Sequence, residues 1–189
     1  FRSIKLWHDG SPYTGSMFTS TPYLDSPLGR TLGIRGGSKG SPMIPQDSLT
    51  AKLKDYTGKG WQVAIHSQGD ESHRAVLTAI EGVGDLPGTL PVIRLEHGVF
   101  MPLDSVEKLA RLGVSASFHV HHIKYYGDAL ANSIVGLAAA QQTLPIRSAF
   151  AQGVQPTLHA DSPMFPPKGF ALMQTAMTRA TGLGLLLNA

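Results

Sequence analysis

Four times in this chain an apolar run is broken by a histidine or an acid, then by glycine, serine or proline. The four stretches are Ile4-Lys5-Leu6-Trp7-His8-Asp9-Gly10, Val63-Ala64-Ile65-His66-Ser67-Gln68-Gly69-Asp70, Val92-Ile93-Arg94-Leu95-Glu96-His97-Gly98 and Leu158-His159-Ala160-Asp161-Ser162-Pro163. A short apolar run bounded by turn residues reads as a buried strand. A metal-ligand or acid–base residue at the same point of each run predicts strand C-termini that converge on one site.

Between these strands lie helical patterns. Asp47 to Tyr56 is a weak one and Asp70 to Val83 a firmer one, with Asp70 as a possible cap and Ala75, Val76, Ala79, Ile80 and Val83 on one face. Pro102 opens a further helix that Gly113 closes; Leu144 to Gln152 and Phe170 to Ala180 read as helices too. Strands are expected over Ser3–Trp7, Trp61–Ile65, Val92–Leu95, Val114–Val120 and Val154–Leu158, with a loop over Gly84–Pro91 and a packed segment over Ile134–Ala140. Strand and helix alternate with single crossovers, which argues for parallel α/β structure. No Gly-x-Gly-x-x-Gly follows the first strand, so a dinucleotide fold has little support. Polar residues converging at strand ends favour a (β/α) barrel of the TIM type. Five strands are visible where such a barrel needs eight, and both ends read as cut, so residues 1–189 are expected to be part of a larger barrel. Residues 10–45, rich in Gly, Ser, Thr and Pro, read as a long substrate or lid loop within it, or as a surface excursion.

Composition narrows the partners. Charged residues make up 15% of the chain, below the usual quarter or so, so part of the surface is expected to lie against more protein, as a homo-oligomer or against missing chain segments. The net charge is +3 and the basic residues are scattered, which disfavours nucleic acid. Cysteine is absent, excluding thiolate chemistry. No apolar run is long enough for a membrane span and no signal peptide is visible; a cytoplasmic location is favoured, though the sequence does not establish it.

Taken singly, His66 and His97 read equally well as hydrogen-bonded histidines, but at equivalent ends of successive strands they favour a shared site. Neutral imidazoles suit zinc and other borderline metals. Asp161 is the best candidate for metal ligand and general base together, against a turn carboxylate before Pro163. Asp9 is placed to brace the loop opening at Gly10. Lys5 is costly inside a strand unless paired or modified; facing the barrel mouth and carboxylated, it would bridge metals. In an extended run, His119 and His121 share one face and His122 the other, and either of the first two could hold a substrate carbonyl or oxyanion. Trp7 and Trp61 read as core or rim packing, and Arg179 as structural.

These residues resemble the amidohydrolase superfamily, and within it the YtcJ-like branch (amidohydrolase family 3) that includes N-substituted formamide deformylases. The resemblance rests on Ile4-Lys5 with Asp9-Gly10, Gly60 to His66 with Gly69-Asp70, Arg94-Leu95-Glu96-His97, Asp161-Ser162-Pro163, Pro166-Pro167, and Ala176 with Thr178-Arg179, in that order along nearly the whole chain. It implies a metal-dependent (β/α) barrel of which this chain supplies strands four to eight. It further implies that carboxylated Lys5, His66, His97 and Asp161 hold one or two divalent cations, expected to be zinc. The family's first-strand His-x-His pair and its β-sandwich are not among these residues. The implied reaction is hydrolysis of a C–N bond in a small amide, formamide or cyclic amide by metal-activated water, with Asp161 moving the proton and His119 or His121 steadying the oxyanion. Two rivals remain: a non-catalytic binding or structural protein of the same fold, and a metal-free barrel enzyme using His and Asp as acid and base.

Overall fold

The chain, in a computed structural model, is described over residues 2–84 and 93–187. Five strands, β1 (Ser3–Trp7), β2 (Gln62–Ser67), β3 (Ile93–His97), β4 (Ser115–His119) and β5 (Thr157–His159), form one sheet in the order β1-β2-β3-β4-β5, every neighbouring pair parallel. Spatial order follows chain order and never reverses. A doubly wound sheet reverses at a switch point; a barrel wall does not. The sheet with its flanking helices is thus of the (β/α) barrel kind.

Helices follow the strands. After β1 come a 3₁₀ turn (Pro12–Thr14), α1 (Pro27–Thr31) and α2 (Gln46–Gly58); after β2, α3 (Asp70–Glu81); after β3, α4 (Leu103–Arg111). After β4 come α5 (His121–Lys124), α6 (Gly127–Ala129), a π-helical turn (Leu130–Ile134), α7 (Leu137–Ala140) and α8 (Ile146–Ala151); α9 (Gly169–Thr178) follows β5. Boundaries differ from expectation for local reasons. Pro156 has no N–H to donate, and β5 begins just after it, at Thr157 and not at Val154 as expected. Val120 has helical dihedrals, φ −66° and ψ −17°, and ends β4 at His119. Gly69, not Asp70, caps α3; Asp70 is its first residue, accepting from Ser20 N–H at 2.9 Å and pairing with Arg74 at 3.1 Å. The expected loop over Gly84–Pro91, beyond its first residue, and the expected strand start at Val92 lie outside the described residues.

Register explains the two faces of the sheet. Ile4, Val63, Ile65, Ile93, Leu95, Ala116, Phe118 and Leu158 share one face, mostly buried, and α3 packs on it through Val76, Leu77 and Ile80. The other face carries Lys5, Trp7, His66, Arg94, Glu96, Ser117, Thr157, His119 and His159. This polar face is the inner one, and Trp7 stands 54% exposed on it, outside the core. The long segment after β1 packs down: Met17, Tyr23 and Ile34 are buried in the core. Ile134, Val135 and Ala140 are buried as expected, but Leu137 between them stands 51% exposed; the Arg179 guanidinium bonds the carbonyls of Leu187, Leu144 and Thr143, a structural role. No helix among the described residues is long and apolar enough to cross a membrane.

Candidate metal centre

Asp9, just past β1, holds the floor of the site. Its buried carboxylate accepts from the backbone N–H groups of Gln68 (3.0 Å), Gly69 (2.9 Å) and Phe18 (3.0 Å). It thereby ties the β2–α3 turn to the segment after β1, the bracing expected of it. Burial pushes this carboxyl up to about 6, although three N–H donors favour its charged form.

His66, the last residue but one of β2, lies on the inner face. Its Nε2 lies 3.1 Å from the Gln68 amide and 3.4 Å from the Gly10 carbonyl, and burial lowers it to about 4. Ser67, one residue on, points the other way into a buried chain in which Ser72 links it to His8, each contact 2.8 Å.

His97 departs from the alternation. Its register partners Ser67 and Phe118 belong to the helix-side face, so an ordinary strand would aim its ring at α3. Its φ of 76° places it in the left-handed region, and the ring instead meets inner-face histidines. Ring centroids lie 4.4 Å from His66, 5.0 Å from His159 and 5.9 Å from His119. Burial drives His97 far below the usual imidazole range, and the neighbouring imidazoles add to this.

Beyond β4 the chain turns helical, so period two gives way to 3.6. His122 therefore comes round to His119, at 4.5 Å between rings, and is not turned away as an extended run would have it. The Tyr13 hydroxyl sits 2.6 Å from His122 Nδ1. His121 is buried against Phe165 at 4.7 Å, with neither ring nitrogen partnered. Burial lowers His119 to about 3, His122 well below its normal range, and His121 and His159 downward as well.

His159 ends β5, and Asp161 follows in a left-handed conformation, φ 53°. The Asp161 N–H donates to His159 Nδ1 at 3.2 Å. This leaves the proton of a neutral ring on Nε2, a donor and not a ligand atom. Lys5 is half-buried on the inner face; burial lowers its pKa, opposed by the nearby charges of Glu96 and Asp161. Glu96 is itself paired with Arg94 at 2.6 Å.

The structure thus gathers His66, His97, His119, His122, His159 and Asp161 at the carboxyl ends of the strands, with Lys5 lower on the same face. A ring nitrogen of His97, one of His159 and a carboxylate oxygen of Asp161 lie within 4.8 Å of one another, as do ring nitrogens of His97, His119 and His122. The donor set fits a divalent metal: buried imidazoles kept neutral by desolvation, several with a buried nitrogen that has no partner. Sequence reasoning passed over His122, although His-x-x-His at 119 and 122 is one helical turn and the signal that would have found it. A cavity of about 450 Å³ opens elsewhere, beside Ser20, Asp70, Arg74 and Leu137, and none of these imidazoles lines it.

Several known proteins share sequence and fold with this chain. An Arabidopsis thaliana protein, LONG AFTER FAR-RED 3, is 24% identical over 93% of this chain and 29% of its own length. The Bacillus subtilis (strain 168) protein YtcJ, named as a candidate amidohydrolase, is 24% identical over 95% of this chain and 32% of its own length. The chain thus spans about a third of the curated relatives it matches. The crystal structure of an uncharacterized metal-dependent hydrolase from Pyrococcus horikoshii OT3 superposes with a TM-score of 0.77 at 24% identity, covering 95% of this chain and 34% of that one, which shows the shared fold. The amidohydrolase family profile covers residues 1–187, so barrel wall, strand-end histidines and sequence agree, and the chain belongs to the amidohydrolase family.

Proposed function

We propose that this chain forms the carboxyl-terminal part of the barrel of a metal-dependent hydrolase of C–N bonds in small amides. The observation that carries the reading is the convergence on His97: His66 and His159 pack against its ring, and Asp161 offers a carboxylate oxygen within 4.8 Å of its ligand atom. Carboxyl ends of parallel barrel strands are where such sites are built. The five strands are strands four to eight of the barrel, in the YtcJ-like, formamide deformylase-like branch.

In this reading Lys5, His66, His97 and Asp161 hold the cation, zinc being favoured by the imidazoles. The lowered pKa of Lys5 enlarges its neutral share, the form that adds carbon dioxide to become a carbamate. When bound, the metal supplies Lewis acidity toward the substrate carbonyl and makes a water proton easier to remove. Asp161, exposed at the rim, takes that proton and returns it to the leaving nitrogen. His119 or His121, neutral, donates an N–H to the carbonyl oxygen as charge builds there. His159, fixed as an N–H donor, stands beside Asp161 and orients the substrate. Residues 10–45 act as the substrate loop, since Tyr13 reaches the histidine cluster. Phe170, Met173 and Met177, exposed along α9, are the surface that a second copy or further chain covers.

The test is hydrolysis of a panel of N-formyl and N-acyl amines by protein freed of metal and then reloaded with Zn²⁺. Turnover that vanishes on chelation and returns with metal is expected. Bound metal without turnover of any amide would favour the binding-protein rival; turnover by the metal-free protein would favour acid–base chemistry alone.

A further inference from the structure

We propose that His97, His119 and His122 form a second cation position, one that holds a borderline divalent metal such as Zn²⁺, Ni²⁺ or Cu²⁺ on nitrogen alone. The ligand atoms of the three rings lie within 4.8 Å of one another. In a tetrahedral shell with Zn–N near 2.0–2.1 Å, ligand nitrogens stand about 3.4 Å apart, so small ring movements close the set. All three residues are buried, at 4%, 2% and 3% exposure. His97 Nδ1, His119 Nε2 and His122 Nε2 are buried without a partner, and an unpaired buried polar atom is costly.

The opposite edges of two rings are braced, as metal-bound imidazoles require. Tyr13 Oη engages His122 Nδ1 at 2.6 Å, and the Ala160 backbone bonds His119. In the tautomer in which Tyr13 accepts from His122 Nδ1–H, Nε2 is bare and available. No carboxylate belongs to the set, which disfavours Mg²⁺ and Ca²⁺. The position depends on neither Lys5 nor Asp161. It shares His97 with the metal ligands and His119 with the oxyanion donors of the centre described above, and a nitrogen lone pair serves one cation at a time. The two positions therefore compete for His97, and they are told apart by metal binding in a variant that lacks Lys5 and Asp161.

The experiment is calorimetric titration of the whole chain with Zn²⁺, with circular dichroism to confirm folding. Lys5→Ala/Asp161→Asn, which strips the carboxylate-bearing centre, should still bind one Zn²⁺. Adding His122→Asn or His119→Phe to that background should weaken binding at least 100-fold, and adding Tyr13→Phe about 10-fold. Loss of all binding in the double variant, or unchanged affinity after His119→Phe and His122→Asn, overturns the proposal. Should the variants not fold, Cu²⁺ on the unaltered protein decides by electron paramagnetic resonance: coupling to three nitrogens supports the position, and a mainly oxygen environment overturns it.

Discussion

Tyr13 and His122 stand 109 positions apart in sequence and 2.6 Å apart at hydroxyl and ring nitrogen. One lies in the segment that leaves the first strand, the other one turn past the fourth. The bond ties the loop over the inner face to the imidazoles beneath it. Tyr13→Phe removes the hydroxyl and strands a buried nitrogen, so a loss of about 1–3 kcal/mol is expected. Urea unfolding of the metal-free variant measures it, and an unchanged midpoint would show that the bond carries no stability.

Asp161→Asn separates chemistry from folding. The side chain is exposed and the residue already has a left-handed backbone, which Asn accepts readily. Melting temperature should therefore hold, while turnover falls roughly 100- to 10,000-fold with the loss of the base. Near-normal turnover would reject its role.

Acid should unfold this protein early. All eight of its histidines are held below the ordinary imidazole value of 6.5, chiefly by burial. A lowered folded-state value means that the unfolded chain binds more protons below 6.5. Stability is then intact above 6.5 and lost as pH falls toward about 4, where His8, His66 and His73 would charge. Asp9 works in the opposite sense. Raised from 3.8 to about 6, its contribution is whole below 3.8 and fades as pH rises through 6. Eight groups against one decide the slope. Melting temperature should drop steadily from neutral pH to about pH 5; a flat profile would show that the imidazoles are hydrated.

Gly69→Ala tests the brace at Asp9. A Cβ at Gly69 would sit 1.8 Å from the Phe18 carbonyl oxygen, a backbone atom with little room to move. The φ of Gly69 is −85°, so the cost comes from this contact and not from backbone strain. A destabilisation of about 1–3 kcal/mol is expected, measurable by thermal or urea unfolding; a neutral result would mean that the Phe18 segment rides freely over the turn.

The strand ends could be read from sequence because apolar runs and their punctuation are local signals. His66, His97, His119 and Asp161 all stand near the points where the periodicity stops. What escaped depends on a change of period or on distant chain. His122 is harder to read, because the point at which strand gives way to helix, Val120, decides whether it faces with His119 or away from it. The Tyr13 contact, the Ser67–Ser72–His8 chain and the tautomer of His159 all arise from tertiary proximity that no single stretch encodes. The segment after the first strand looks polar and loose in sequence, yet Met17, Tyr23 and Ile34 anchor it, and Pro12, Thr19 and Ser26 are buried with them.

The left-handed corner at His97 has an implication for anyone hoping to move this site into another barrel. Copying the imidazoles onto equivalent strand ends would send the central ring outward, among aliphatic side chains. Gly98, also at positive φ and placed where a Cβ would lie 2.6 Å from the Phe118 ring, is part of what makes the corner possible. A transplant must carry the bend as well as the residues, because here the polypeptide path itself does the aiming.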